Sequence, residues 1–210
     1  MIGETMNIGF VGAQRVGKTT TAKAVAEELG IRFVQTDVGG VWKRLGLDPK
    51  AQYPINERIE IQEHIIDYLV QHLREEAAVG NFTTDRTPLD VLGYMEADVL
   101  RDFPAEYEGQ YFAFVQKCKS YHEEIFGTGL TVILQPGIPP SEADKSAAFC
   151  LPYMWHLTAL YKSYLEPEYT SEGLLCYRYL SNNIIISKNM LALQDRVEHV
   201  VDEYAFSTVV

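Results

Sequence analysis

Apolar and polar positions change period several times along the chain, and the changes mark an alternating order of strands and helices. "MNIGFV" (6–11) is a short apolar run that stops at Gly12. "KTTTAKAVAEELG" then takes helical spacing, with Ala22, Val25, Ala26 and Leu29 on one face and Gly30 as the stop. "IRFVQT" (31–36) reads as a second strand. Residues 57–79 place Ile61, Ile65, Leu69, Val70 and Leu73 on one helical stripe, with Asn56 as the expected N-cap. "NFTTD" (81–85) predicts a third strand, weakened by two threonines where aliphatic residues are usual. "TPLD" opens the next helix: Thr87 caps, Pro88 takes the first turn, and Asp90 faces the positive end of the dipole. Residues 106–126 predict another helix, with Tyr107, Tyr111, Phe114, Val115, Cys118, Tyr121 and Ile125 in register. "LTVIL" (130–134) is the fourth strand, and it runs into "QPGIPPSEADKSAA", the most loop-like stretch. A helix at about 152–166, apolar runs at 174–180 and 184–187, and a last helix near 190–204 complete the order.

Short apolar strands alternating with helices imply an α/β fold, a parallel sheet covered on both faces. Such sheets bind ligands at the carboxyl ends of their strands, so loops 12–19, 37–55, 85–88 and 135–151 are where chemistry is expected. No internal repeat, low-complexity tract or composition break divides the chain. The expectation is one domain over 1–210, with residues 1–5 a leader ahead of the first strand. A domain of this size buries roughly 70% of its unfolded surface and needs no staple.

The first of those loops carries chemistry. Gly12-Ala13-Gln14-Arg15-Val16-Gly17-Lys18-Thr19 satisfies G-x-x-x-x-G-K-[ST], the Walker A pattern, between a strand and a helix. The glycines let the loop curl so that backbone N–H groups converge on a phosphate, and the helix N-terminus adds its positive end. Lys18 is placed to reach β- and γ-phosphate oxygens, Thr19 to offer a hydroxyl to Mg²⁺, and Thr20 to extend the loop's contacts. A nucleoside triphosphate is the implied ligand.

Charge narrows the class. With 29 Asp and Glu against 18 Lys and Arg, the net charge is −11, which repels polyanions and speaks against a dedicated DNA-binding protein. Three cysteines without a CxxC pair argue against a disulfide framework or zinc site and suit a reducing cytoplasm. No signal peptide, lipidation box or 18-residue apolar run argues for a membrane. The five histidines form no ligand spacing and are expected to be structural or solvated.

A second acid should end a strand beside the cradle, and Asp37 and Asp85 are the candidates. "DVGG" at 37–40 matches the DxxG of GTPases, but only 19 residues separate Lys18 from Asp37 and no NKxD motif occurs, which excludes a regulatory GTPase. Asp85 is followed at once by Arg86. An acid at a strand end orients Mg²⁺ or its water, while the adjacent guanidinium grips an anion with its fork. In "DVGGVWKRLGLDPKAQYPINER", Trp42 and Tyr53 could stack a base, and Lys43, Arg44 and Arg58 could meet a phosphate. Tyr94, Tyr111 and Phe114 are core residues first by their helical spacing.

These motifs together resemble the thymidylate-kinase-like P-loop kinases. "TDRTPLDVLGY", "FVQTDVGGVWKRLGLDP" and "RIEIQE" are more similar still to a group of bacterial and phage AAA-domain ATPases and nucleotide kinases related to the nicotinamide-riboside kinase domain, over roughly residues 6–150. The resemblance implies a three-layer P-loop NTPase fold, with a five-stranded parallel sheet in the order 2-3-1-4-5 and helices on both faces. It implies γ-phosphoryl transfer from ATP, with Mg²⁺, to a (deoxy)nucleoside monophosphate or related nucleotide. By position, Lys18 and Thr19 serve ATP and Mg²⁺, Asp85 is the metal-side or catalytic acid, and Arg86 holds the acceptor or the transferring phosphate. Asp37 falls near the attacking hydroxyl, and 37–58 becomes the acceptor-binding segment. Residues 135–151 become a lid-like loop. The chain departs from the family there: lid arginines are usual, yet between Lys119 and Lys162 the only basic residue is Lys145. Either Lys145, Arg15, Arg58 or Arg86 neutralises the moving phosphoryl group, or the enzyme is slow, or it is no kinase. The resemblance leaves open two other activities, phage-type phosphorylation of 5-hydroxymethyluracil in DNA and an ATPase switch acting through a partner protein. It also leaves a homodimer open, with a cytoplasmic location, that of the host for a phage protein.

Overall fold

The structure, a computed structural model, describes residues 6–49, 51–99, 103–137, 151–164, 168–169, 175–176 and 182–207. In chain order the elements are β1 (Ile8–Gly12), α1 (Lys18–Leu29), β2 (Arg32–Val34), α2 (Val38–Leu45), α3 (Ile55–Ala77), β3 (Phe82–Thr84), α4 (Pro88–Ala97), a 3₁₀ turn (Ala105–Tyr107), α5 (Glu108–Phe126), β4 (Leu130–Leu134), α6 (Leu151–Ser163), β5 (Glu168–Tyr169), β6 (Leu175–Cys176), β7 (Asn183–Ile186) and α7 (Leu193–Ser207).

Five parallel strands pair in the order β2-β3-β1-β4-β7, and β5 and β6 pair antiparallel with each other. With that small hairpin set aside, the order is the expected 2-3-1-4-5. β1 runs in full register with β4, from Ile8 opposite Leu130 to Gly12 opposite Leu134, and Gly9 lies opposite Thr84 of β3. Every residue of β1 and β4 is buried, which is why both read as unbroken apolar runs. Helices α1 and α7 pack together on one face, while α4 and α6 lie against β1 and α3 and α5 pack onto α4.

The local signals act as their chemistry requires, with a few shifts. Asp90 Oδ2 accepts from the Thr87 N–H at 3.0 Å, and Thr87 Oγ1 accepts from the Leu89 N–H at 3.2 Å, a full capping box with Pro88 in the first turn. Asn56 is not the cap of α3. That helix begins at Ile55 behind Pro54, whose fixed φ of −55° sets the entry without a side-chain bond. The predicted stripe on α3 is buried, and Ile59, Gln62 and Ile66 join it. The threonines of β3 fit the core because both hydroxyls are used: Thr83 donates to the Ala22 carbonyl at 2.9 Å, and Thr84 Oγ1 accepts from the Arg86 N–H at 3.4 Å. The last two helices run Leu151–Ser163 and Leu193–Ser207, each offset by a few residues from its expected span. Lys145 and most of the lid-like loop lie outside the described residues, as does the 1–5 leader. No helix among the described residues is long and apolar enough to cross a membrane.

His122 is a core residue, 1% exposed, with Nε2 2.9 Å from Thr131 Oγ1 on β4. Burial lowers its pKa to about 3, so the folded state keeps it neutral while the unfolded chain protonates near 6.5. Stability is therefore lost as pH falls below about 6.5 toward 3. Between pH 7 and 5 this one residue is expected to remove about 2 kcal/mol. Urea melts at both pH values check it, since His122→Gln should shrink the gap between them by that amount.

Candidate functional site

The carboxyl ends of β1 and β3 meet at one sheet edge, and the two predicted motifs come together there. After β1 the chain turns through residues 13–17 into α1, and two residues of this turn have positive φ, Arg15 at 63° and Gly17 at 97°. Gly17 stands at the N-cap of α1 in the left-handed region, and no side chain caps the first N–H groups. The first turn of α1 also holds no acidic residue, so the helix start offers backbone donors to an anion. Ala13 and Val16 are buried beneath the loop, while Gln14, Arg15, Thr19 and Thr20 are exposed above it. From α7, Arg196 donates through NH1 to the Val16 carbonyl at 3.2 Å and through Nε to the Met190 carbonyl at 2.6 Å, tying the loop to the far helix.

Lys18 folds back over the loop, donating to the Gly12 and Ala13 carbonyls, the latter at 3.0 Å. Its Nζ lies 3.8 Å from Asp90 Oδ1, and both side chains are buried. Burial lowers the Lys18 pKa to about 8 against the pull of Asp90, with Arg86 lowering it further.

β3 delivers the second half. Asp85 follows it, and its Oδ2 accepts a hydrogen bond from Thr19 Oγ1. Arg86 NH1 lies 3.9 Å from Asp90 Oδ1, and its guanidinium carbon stands 5.5 Å from the centre of the Tyr94 ring. The start of α4 can press this close to the sheet because Gly9 has no side chain. A Cβ there would meet Thr87 Cγ2 at 2.5 Å and Phe126 Cε1 at 2.9 Å. Burial pushes the Tyr94 phenol up, while the Arg86 guanidinium beside it draws it down.

Asp90 is the site residue that sequence reasoning did not assign. It was legible as a capping residue, and the capping role hid the other oxygen. Burial raises its pKa, and Lys18 and Arg86 oppose that rise. The sequence signal was an acid five positions after Asp85 on a helix starting at the same sheet edge.

The acceptor segment divides. Trp42 and Tyr53 form a ring pair with centroids 6.2 Å apart, and Tyr53 Oη donates to the Asp48 carbonyl and accepts from the Asp48 N–H, both at 3.0 Å. Arg44 lies over the Tyr68 ring of α3 at 4.7 Å, and Arg58 pairs with Asp98 at the end of α4. Lys43 is exposed in the last turn of α2. Asp37 is exposed and caps α2, with Oδ1 accepting from the Gly40 N–H at 2.8 Å. The structure thus gives Asp37 a local task, while Lys18, Thr19, Asp85, Arg86 and Asp90 converge.

Comparison with known proteins bears on the family and the fold. The sequence model of a family described as an AAA domain matches residues 7–129, more than half of the chain. The chain belongs to this AAA-domain family. A search of curated protein sequences gives no significant match. Among solved structures, the fold resembles that of deoxyadenosine kinase from M. mycoides with dCMP and dCDP bound, at a TM-score of 0.62 and 14% identity, covering 96% of this chain and all of that one. It resembles the NadR protein in complex with NR, at 0.63 and 14% identity over 98% of this chain, which spans half of NadR. Thymidylate kinase from Ehrlichia chaffeensis matches at 0.53 and 12% identity, over 94% and 97% of the two chains. At such identities the likeness establishes the P-loop kinase fold for this AAA-domain protein.

The site also fits the metal that such folds employ. Mg²⁺ prefers oxygen donors and is usually held by one or two carboxylates together with substrate phosphates and water. A hydroxyl and a carboxylate in contact beside the loop, Thr19 and Asp85, match that donor set. Among the described residues no group of three or more His, Cys, Asp or Glu forms a protein-only cage.

Proposed function

We propose that the protein is an ATP-dependent phosphotransferase that moves the γ-phosphoryl group of ATP to a (deoxy)nucleoside monophosphate or a related nucleotide hydroxyl or phosphate. The observation that carries this reading is the convergence of two cations, Lys18 and Arg86, on the same oxygen of Asp90 beside a helix start that no side chain caps. Phosphoryl transfer asks the protein mainly for positioning and charge stabilisation, and this arrangement supplies both. Loop N–H groups from Ala13 to Thr20 hold the β- and γ-phosphates, and Lys18 leaves the Gly12 and Ala13 carbonyls to meet them. Thr19 and Asp85 would hold Mg²⁺, which would neutralise phosphate charge. Arg86 faces the transferring group from the β3 side, taking the part of the missing lid arginines together with Lys145 or Arg15. The acceptor base lies against Trp42 and Tyr53, with Lys43, Arg44 and Arg58 near its polar end and Asp37 beside its hydroxyl. The reaction belongs to the cytoplasm, where ATP and nucleotides are found.

Labelled ATP with Mg²⁺ and a panel of nucleosides, monophosphates and DNA containing 5-hydroxymethyluracil tests this. Label on a monophosphate or nucleoside supports the reading. Label on the modified DNA alone replaces the acceptor, and release to water alone, with ATP-dependent association with another protein, replaces the kinase by an ATPase switch.

A further inference from the structure

A helix cap needs one oxygen, and Asp90 brings two. Oδ2 completes the capping box with Thr87. Oδ1 is buried, accepts no hydrogen bond, and stands 3.8 Å from Lys18 Nζ and 3.9 Å from Arg86 NH1. An asparagine would still offer an oxygen to the Thr87 N–H, and burying a charge is costly unless it is compensated. We propose that Asp90 is a positioning residue, whose Oδ1 holds Lys18 of the phosphate loop and Arg86 of the β3–α4 turn at matched distances so that both face the phosphoryl group in transit. This rests on the kinase reading above.

Each cation has a private restraint and a shared one. Lys18 is held on the loop side by the Gly12 and Ala13 carbonyls, and Arg86 is held on the α4 side by the Tyr94 ring. Asp90 is the restraint they share, and it joins motifs 66 residues apart at Thr19 and Asp85 into one unit. Like charges repel, so without the carboxylate the lysine and arginine move apart. One negative charge against two positive ones also leaves the trio net positive, which attracts phosphate while tempering the affinity.

The test compares Asp90→Asn, which keeps a capping oxygen and loses the charge, with Thr87→Val, which weakens the cap and keeps the charge. ATP binding is measured by calorimetry, melting temperature by circular dichroism, and transfer with the acceptor found in the panel. Asp90→Asn is expected to bind ATP about three- to tenfold more tightly, since one fewer negative charge faces the polyphosphate. The same variant should transfer phosphate about 30-fold or more slowly. Thr87→Val should lower the melting temperature, with ATP affinity and transfer within about twofold of wild type. In an Arg86→Gln background, Asp90→Asn should cost less than about threefold further, because it acts through the same pair. Weaker ATP binding in both Asp90→Asn and Thr87→Val, or a full slowing by Asp90→Asn without Arg86, overturns the proposal and leaves the kinase reading intact. Wild-type protein that binds no ATP overturns both.

Discussion

Arg86→Gln is expected to slow phosphoryl transfer by about 10²–10³-fold while ATP binds within about threefold of wild type. The guanidinium enters the site from β3, not from the loop that cradles the triphosphate, and it is held between Tyr94 and Asp90 with 29% of its side chain exposed. Glutamine keeps the length and a donor but removes the charge and the fork. A group that meets charge developing on the moving phosphoryl changes the rate more than the ground-state affinity. Single-turnover transfer and calorimetric ATP binding separate the two quantities. Equal losses in both would show that Arg86 grips ATP itself, and the assignment would fail.

Lys18→Met should remove both. Loss of measurable turnover, a drop of about 10³-fold or more, is expected together with much weaker ATP binding, because this lysine sits directly on the Gly12 and Ala13 carbonyls of the loop. Methionine keeps the stem, so the buried volume is preserved. It also strips Asp90 of one of its two cations, and the carboxyl pKa should rise still further above the ordinary range. Turnover in the panel assay and ATP calorimetry check the first statement. Retained turnover would place the phosphate-binding cation elsewhere.

How much of this was legible in the chain depends on how local the cause was. The β1–loop–α1 unit, the capping box at Thr87 and the stripe on α3 are set by neighbours within a few residues, and their positions read directly. The strand order followed from the resemblance, and the structure has it. The start of α3 was misread because Asn56 is a good capping residue by type, whereas Pro54 fixes the backbone two residues earlier. The threonines of β3 read as weakness because their partners, the Ala22 carbonyl and the Arg86 N–H, become neighbours only after folding. Asp37 illustrates the opposite limit. A carboxylate after a strand fits two tasks at once, and the capping bond from the Gly40 N–H is a local turn that strand–helix spacing does not reveal. The meeting of Lys18 and Asp90 is a tertiary event, and the pattern of either segment is silent about it.

The bond from Arg196 to the Val16 carbonyl spans 180 residues of sequence and has a consequence in time. The Walker A segment is made before α7, yet the group that pins its loop arrives with α7. A ribosome-stalled chain ending before α7 should be retained poorly on immobilised ATP, and one whose α7 is carried clear of the ribosome on a linker after Ser207 should be retained well. Equal retention would show that the loop sets its own shape. A newborn chain is thus expected to gain its grip on the cell's abundant ATP only once α7 has been made.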